Sequence, residues 1–307
     1  MSGSLRVPRL GSQRWVVSEA QPLRDALSPF VDESMLALAE GRVFVDKVRV
    51  TNPEFRLRAG QQVEVFLAGA SRASVDIVGE RGGVIAVCKP AGIATEPDHR
   101  GSRGCLLDLV GDRLRLDSRR LHALSRLDLG VSGVVLVATS RAGSQWVTRL
   151  RDLGKVRRRY VGLAGGRLVP SLGHWSAPVT AGRGAPPAET HYRVVANAEP
   201  AHGDPVSLVA LEPSTGRKHQ LRIHLARAGA PLLGDRQSGG VPRLVAADAR
   251  VVRLPRIALH CARVELDAED GPWRCEAPVP TSLGDWWTLL GGDPDAWGRA
   301  RRGGVDD

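Results

Sequence analysis

The sequence predicts an α+β protein, and three observations carry that class. Two stretches between Pro22 and Glu40 have helical spacing and are followed by short alternating stretches up to Leu67. Two apolar runs, Val84–Cys88 and Val134–Val137, are continuous enough to be buried strands. Further alternating stretches, Pro187–Val195 and Val206–Leu211, stand between two segments with a helical period, Ser140–Gly154 and Lys218–Gly229.

The elements follow in order. Leu23 and Leu27 share one helical face, Leu36 and Ala39 another, and Gly41 stands where the second helix would stop. Arg42–Asp46, Val48–Val50 and Val63–Leu67 read as short strands broken at Asn52-Pro53 and Ala59-Gly60. Ala68–Ser74 is small and polar enough to be a linker. The chain therefore divides into an extension over 1–20, a small domain over 21–68, a linker over 69–74, a large domain over 75–290 and a mobile tail over 291–307.

In the large domain, Val84–Cys88 leads into the turn Lys89-Pro-Ala-Gly92. Leu124–Ala138 sets one carboxylate, Asp128, beside Arg126 in a Gly/Ser-containing segment that enters the Val134–Val137 strand. Asp128 is a candidate reactive group, or alternatively the end of a turn paired with a neighbouring arginine. Ser140 can cap a helix that buries Trp146, Leu150 and Leu153 and ends at Gly154. Lys155–Tyr160 is a basic run: either a solvated strand edge, or a strand on which Arg157 and Arg159 attract phosphates while Tyr160 points the other way into a site. From Lys218 a helix would put His219 and Arg222 on one face and Leu221 and Leu225 on another, with Gly229 ending it and Pro231 preventing its continuation. Ile257–Leu266 and Glu276–Pro280 close the domain as strand and turn.

Composition bounds the function. Forty-three Lys+Arg against 33 Asp+Glu give a net charge of +10, which favours a polyanionic partner such as nucleic acid. Only four of the basic residues, Lys47, Lys89, Lys155 and Lys218, are lysines; an arginine bias of this kind also arises from a GC-rich coding sequence. Cys88, Cys105, Cys261 and Cys275 are scattered with no paired spacing, so neither a metal nor a disulfide framework is expected. Met1–Arg14 lacks the apolar core of a signal peptide and no apolar run approaches membrane-spanning length, which points to a reduced, cytoplasmic protein with no membrane partner; a monomer is expected.

Five motifs in order carry a resemblance: Cys88-Lys-Pro-Ala-Gly92; Arg126-Leu-Asp128 followed by Ser132-Gly133 and Ala138; the basic run ending in Tyr160; Pro187-Ala-Glu-Thr-His-Tyr192; and Gly216-Arg-Lys-His-Gln-Leu-Arg-Ile-His-Leu225 with Pro231-Leu-Leu-Gly-Asp235. Together they resemble the RluA-type family of RNA pseudouridine synthases over about Val84 to Pro280. The small N-terminal unit, through Leu23, Leu27, Gly41–Asp46 and Gly60–Val65, resembles the S4-like RNA-binding domain, a common companion in that family. Its second helix here carries Met35, Leu36 and Ala37 where that domain is usually basic.

The resemblance implies a mixed, mainly antiparallel central sheet with flanking helices, and a cofactor-free isomerisation of uridine in structured RNA, ribosomal or transfer. It implies that Asp128 is the essential aspartate, Tyr160 the active-site tyrosine and Arg222 the arginine that pairs with the aspartate. Tyr160 would stack on the uracil and help remove the C5 proton. Arg126 would occupy the space of the extruded base, and His219, Gln220, Arg217, Lys89, Arg157 and Arg159 would hold RNA or base. Ser125 and Val131 stand where the family usually has His and Thr, and His122, three residues earlier, either substitutes for the histidine or does not. The alternative reading is an inactive paralogue that only binds RNA or assists ribosome assembly. A glycoside hydrolase would need a second well-placed acid, and the motif-bearing segments offer none.

Overall fold

The computed structural model describes residues 12–27, 37–38, 43–46, 48–66, 75–97, 104–180, 185–246 and 249–302. Contacts divide the chain into two compact units, residues 1–74 with 92–118 and residues 75–91 with 119–307. Residues 92–118, expected in the larger domain, thus cluster with the first unit.

In the first unit, β1 (Ser12–Val16), β2 (Val43–Val45), β3 (Val48–Arg49) and β4 (Gln62–Phe66) form an antiparallel sheet in the order β1-β4-β2-β3. Period-two alternation buries Val43, Val45, Val63 and Val65 against Leu23 and Leu27 of helix α1 (Leu23–Leu27). β1 lies in the stretch expected to be an extension; five residues carry too little alternation to announce a strand, and pairing with β4 supplies what the pattern lacks. The expected helix over Glu33–Glu40 falls outside the described residues except at 37–38, which are helical and buried. Helix α2 (Leu106–Leu114) also belongs to this unit, and Asp108 caps its start by accepting from the Gly104 and Cys105 amides.

The second unit is built on one ten-stranded sheet. Its strands are β5 (Ile77–Arg81), β6 (Val84–Lys89), β7 (His122–Ala123), β8 (Ser132–Ala138), β9 (Val156–Gly165), β10 (Leu172–Trp175), β11 (Thr190–Ala198), β12 (Val206–Pro213), β15 (Leu259–Ala268) and β16 (Gly271–Glu276), with a separate hairpin of β13 (Arg243–Val245) and β14 (Val251–Arg253). The order is β10-β11-β12-β9-β15-β8-β6-β5, with β16 on β15 and β7 on β8. Every strand pair is antiparallel except β15 with β8, as expected of a mixed, mainly antiparallel sheet. That parallel pair brings the start of β8, where Asp128 arrives, beside β15 and β9, where Tyr160 stands.

Helix α3 (Arg141–Asp152) starts where Ser140 predicts, its hydroxyl accepting from the Gly143 amide at 3.1 Å. Its buried stripe is Gly143, Val147 and Leu150 rather than the expected Trp146, Leu150 and Leu153. Leu153 lies past the last turn and is 58% exposed, while Trp146 packs against Trp273. The expected tail is also corrected. After helix α5 (Thr281–Leu289), residues 296–302 form helix α6 (Ala296–Arg302), and its Ala296, Trp297 and Ala300 join the buried cluster around Leu163, Leu208, Trp286 and Trp287. The Gly, Asp and Arg content of this stretch hid one apolar helical face of i, i+4 spacing.

Candidate active site

Asp128 opens the tight turn that leads into β8: its carbonyl accepts from the Val131 amide at 3.0 Å, with Leu129 and Gly130 between. Gly133 has φ 124°, and a Cβ there would lie 2.2 Å from the Cys261 carbonyl oxygen, so glycine lets this turn press against β15. The two replaced motif positions still support the turn. Val131 is buried beside Asp128, and the Ser125 hydroxyl accepts from the Leu136 amide at 3.4 Å. His122 does not substitute for the missing histidine. It pairs with Ala138, six residues along β8 from its start and therefore about 20 Å from the aspartate end.

A buried polar network lies behind the turn. Arg256 Nη2 donates to Ser132 Oγ at 2.7 Å and to the Leu259 carbonyl at 2.8 Å. Ser132 Oγ lies 2.8 Å from His260 Nδ1. Because arginine can only donate, the Ser132 oxygen accepts from it and its hydroxyl proton points to Nδ1, leaving His260 Nε2–H for the Ala277 carbonyl at 3.4 Å. Burial pushes Arg256 down to about 10 and His260 down to about 3. Lys89, expected to hold RNA, is instead the last residue of β6, paired with Gly133, only 1% exposed and 3.0 Å from the Pro90 carbonyl. Burial first, and then the charge of Arg256, push its amine down to about 7, against the opposing pull of Asp128. A strand end that must close beneath the Asp128 turn has no room to present its side chain outward.

Helix α4 (Gln220–Arg227) starts two residues later than the periodicity predicts. His219 precedes it with φ 57°, a left-handed conformation rarely adopted outside glycine, so the side chains of His219 and Arg222 converge by way of this bend rather than by helical spacing. Arg222 Nη1 donates to Asp128 Oδ2 at 2.8 Å, and His219 Nε2 lies 3.7 Å from the same oxygen. The other edge of the guanidinium is held by Asp235: Nε to Oδ2 at 2.7 Å and Nη2 to Oδ1 at 2.8 Å, with Gln237 Oε1 also accepting from Nη2 at 2.9 Å. Burial alone would lower the Arg222 pKa and raise that of Asp235. Their mutual hydrogen bonds win, so Arg222 titrates above and Asp235 below the ordinary range.

Tyr160 is buried on β9 and pairs across the strands with the buried Cys261 of β15. Burial first, and then the thiol, push the phenol far above the ordinary tyrosine range, and burial pushes Cys261 up to about 12. Strand alternation puts Arg158 on the same face as Tyr160, and both line the pocket that holds Asp128 and Arg222. Arg158 Nη2 donates to the Thr215 carbonyl at 3.3 Å, and its Nε is buried without a hydrogen-bond partner. The period-two reading that assigned Tyr160 to the site would also have found Arg158.

The expected phosphate contacts Arg157 and Arg159 lie on the opposite face. Arg159 Nε donates to Glu212 at 2.7 Å and the side chain is 13% exposed, so it is committed to the protein; Arg157 is 68% exposed and 3.9 Å from Glu265. Gln220, expected at the base, is saturated. Its Oε1 accepts from the Thr215 hydroxyl at 2.8 Å and the Arg217 amide at 3.0 Å, and its Nε2 donates to the Glu189 carbonyl at 2.8 Å and Thr190 Oγ1 at 3.0 Å. It ties the Thr215–Arg217 loop to β11. Arg126 and Arg217 are exposed and line the same pocket, Arg217 Nε donating to the Pro187 carbonyl at 3.2 Å.

Residues 83–227 match the family model of RNA pseudouridylate synthase. Among relatives, the dual-specificity RNA pseudouridine synthase RluA of Escherichia coli (strain K12) is 30% identical over 188 residues, spanning 58% of this chain and 80% of that protein. The uncharacterized RNA pseudouridine synthase YhcT of Bacillus subtilis is 29% identical over 292 residues, 88% of this chain and 91% of the relative. The ribosomal large subunit pseudouridine synthase D of Nitrosomonas europaea is 32% identical over 224 residues, 69% and 63%. Human RNA pseudouridylate synthase domain containing 4 superposes with a TM-score of 0.56 at 22% identity over 70% of this chain and 92% of its own, which shows a shared fold. The chain belongs to the RNA pseudouridine synthase family, enzymes that isomerise uridine to pseudouridine in RNA.

Proposed function

We propose that the protein isomerises uridine in structured ribosomal RNA through Asp128, with no cofactor. The carrying observation is the 2.8 Å bond from Arg222 to Asp128 Oδ2 in the pocket that Tyr160 also lines. A relative named for the ribosomal large subunit and the net charge of +10 support ribosomal RNA as the target. The same reading takes the protein as a cytoplasmic monomer and its first unit as an S4-like RNA-holding domain, supported by the small sheet packed on α1.

The isomerisation breaks N1–C1′, turns the uracil and joins C5 to C1′; the C5 proton leaves and N1 ends protonated, so the product is an isomer. Asp128, the one carboxylate among the described residues that line the pocket, starts the bond cleavage. Tyr160, kept a neutral phenol by its burial, offers the uracil an aromatic face. Removing the C5 proton would require a phenolate, which that burial disfavours, so stacking is the role this geometry supports. Extruding the base costs roughly a few kcal/mol, and Arg126, exposed at the rim, is placed to fill the vacated position.

The test is to map pseudouridines in total RNA from a deletion strain complemented with wild type or with Asp128→Asn. One ribosomal pseudouridine should vanish on deletion, return with wild type and stay absent with Asp128→Asn, while purified Asp128→Asn still binds RNA. An unchanged map on deletion would refute the target, and full activity of Asp128→Asn would refute the role of the aspartate.

A further inference from the structure

We propose that His219 is a second catalytic residue, the base that takes the C5 proton in the last step of the isomerisation. The inference rests on the roles proposed above for Asp128 and Tyr160.

Once C5 is joined to C1′, C5 still carries its hydrogen and the ring holds a C6=N1 double bond. A base must then take that proton: the C5–H electron pair becomes the C5=C6 bond, the C6=N1 pair moves onto N1, and N1 takes up a proton from water. The base returns its own proton to water, so the product is an isomer and nothing is oxidised or reduced. Asp128 can start the cleavage at C1′, at the neighbouring ribose carbon or at C6, and each of these atoms is bonded to C5 in that intermediate or lies one atom beyond it. The base therefore belongs beside Asp128. His219 Nε2 lies 3.7 Å from Asp128 Oδ2, so the carboxylate also meets the positive charge that forms when the imidazole takes a proton.

The pocket offers few other bases. Among the described residues that line it, the titratable side chains besides arginines are Asp128, Tyr160 and His219. Arginine does not give up its proton in a protein, and burial keeps Tyr160 a neutral phenol. A carboxylate is a weaker base than an imidazole, and that of Asp128 already accepts from Arg222 Nη1 at 2.8 Å. Lys89, whose amine is pushed down to about 7, is 1% exposed and does not line the pocket. Imidazole is the side-chain base suited to neutral pH.

The His219 ring is free for this work. It is half-buried, and neither of its nitrogens has a hydrogen-bond partner among the described residues. His224 in helix α4 is the contrast, its Nδ1 held by Thr190 Oγ1 at 3.0 Å and its Nε2 by the Ala177 carbonyl at 2.9 Å. His219 also breaks two local rules. It stands at the N-cap of α4, yet its side chain caps no amide, as Ser, Thr, Asp or Asn there would. Its φ of 57° is one that glycine or asparagine adopts at less cost. A residue that departs from local preference with no gain in structure marks a functional position.

The experiment compares wild type, His219→Asn, His219→Gly and Asp128→Asn on ribosomal RNA transcribed with uridine, with C5-deuterated uridine or with 5-fluorouridine. The fluorinated base has no C5 hydrogen, so it can be cleaved and rejoined without the step assigned to His219; its consumption is followed by chromatography of the digested nucleosides. Asparagine tolerates the left-handed backbone but is no base. His219→Asn should lower single-turnover isomerisation of uridine by about 100-fold or more, the scale of general-base catalysis, and its rate should become sensitive to deuterium at C5. RNA affinity, thermal melting and consumption of 5-fluorouridine should stay within about threefold or unchanged. Imidazole in the buffer should restore part of the rate to His219→Gly, which fits the backbone without strain and carries the test if His219→Asn melts early. The proposal is overturned if His219→Asn keeps the wild-type rate on uridine, if it loses uridine and 5-fluorouridine equally, or if RNA affinity falls as far as the rate. Asp128→Asn should stop both substrates. If it stops neither, the reading of Asp128 falls and the inference with it, a pattern that the His219 variants alone cannot produce.

Discussion

Arg222 Nη1 donates to Asp128 Oδ2 at 2.8 Å, a bond between residues 94 positions apart that ties the first turn of helix α4 to the turn before β8. A compact point charge cannot reproduce it, because the same side chain must also meet two oxygens of Asp235 in one plane.

Arg222→Lys should therefore lower the single-turnover rate by about 100-fold while RNA affinity stays within a few fold. Release of tritium from RNA carrying 5-tritiated uridine measures the rate, and filter binding the affinity. An affinity loss as large as the rate loss would make Arg222 an RNA contact rather than the partner of the aspartate.

Tyr160 separates ring from hydroxyl. Since burial keeps the phenol protonated, Tyr160→Phe should retain activity within about tenfold, whereas Tyr160→Ala, which removes the stacking face, should lose about 100-fold or more. Equal losses in both variants would give the hydroxyl the chemical role instead.

Lys89 makes a stability prediction with a definite sign. Its amine is depressed to about 7 in the folded protein from 10.5 in the unfolded chain, chiefly by burial. Between those values the unfolded state binds more protons, so stability from this group rises as pH climbs from about 7 toward 10.5 and falls back on the way down. Lys89→Met removes the titration. Its melting temperature should exceed that of wild type most near pH 6.5, and the gap should shrink as pH rises to 9.5. A gap independent of pH would show that the Lys89 amine titrates alike in both states.

Gly133 predicts a packing failure next to the site. A methyl group there would lie 2.2 Å from the Cys261 carbonyl oxygen and 2.5 Å from its nitrogen, at a φ of 124°. Gly133→Ala should destabilise the protein by roughly 3 kcal/mol or more and reduce activity in whatever fraction still folds. Chemical denaturation reads the first effect. A loss under 1 kcal/mol, on the order of a typical substitution, would mean that β8 and β15 can separate at little cost.

Much of this molecule is legible before it folds. The α+β class, the strand leading from Asp128, the Ser140 cap and the Gly229 stop follow from period, propensity and turn chemistry, all of which act over a few residues. The order of the motifs likewise singled out Asp128, Tyr160 and Arg222, which line one pocket in the fold. Atomic partnership is another matter. Lys89 and Gln220 look like residues free to meet RNA until β6 closes beneath the Asp128 turn, and until the Thr215–Arg217 loop and the Glu189–Thr190 end of β11 take up the hydrogen bonds of the amide. Asp235 appears as the last letter of a motif, and only folding gives it the bidentate edge of Arg222. Strand β1 and helix α6 became elements through partners distant in the chain. Local sequence sets which face a side chain takes, because backbone geometry repeats every two or 3.6 residues. Burial, charge neutralisation and the assignment of particular donors to particular acceptors depend on segments tens of residues apart, and those exist as neighbours only in the tertiary structure.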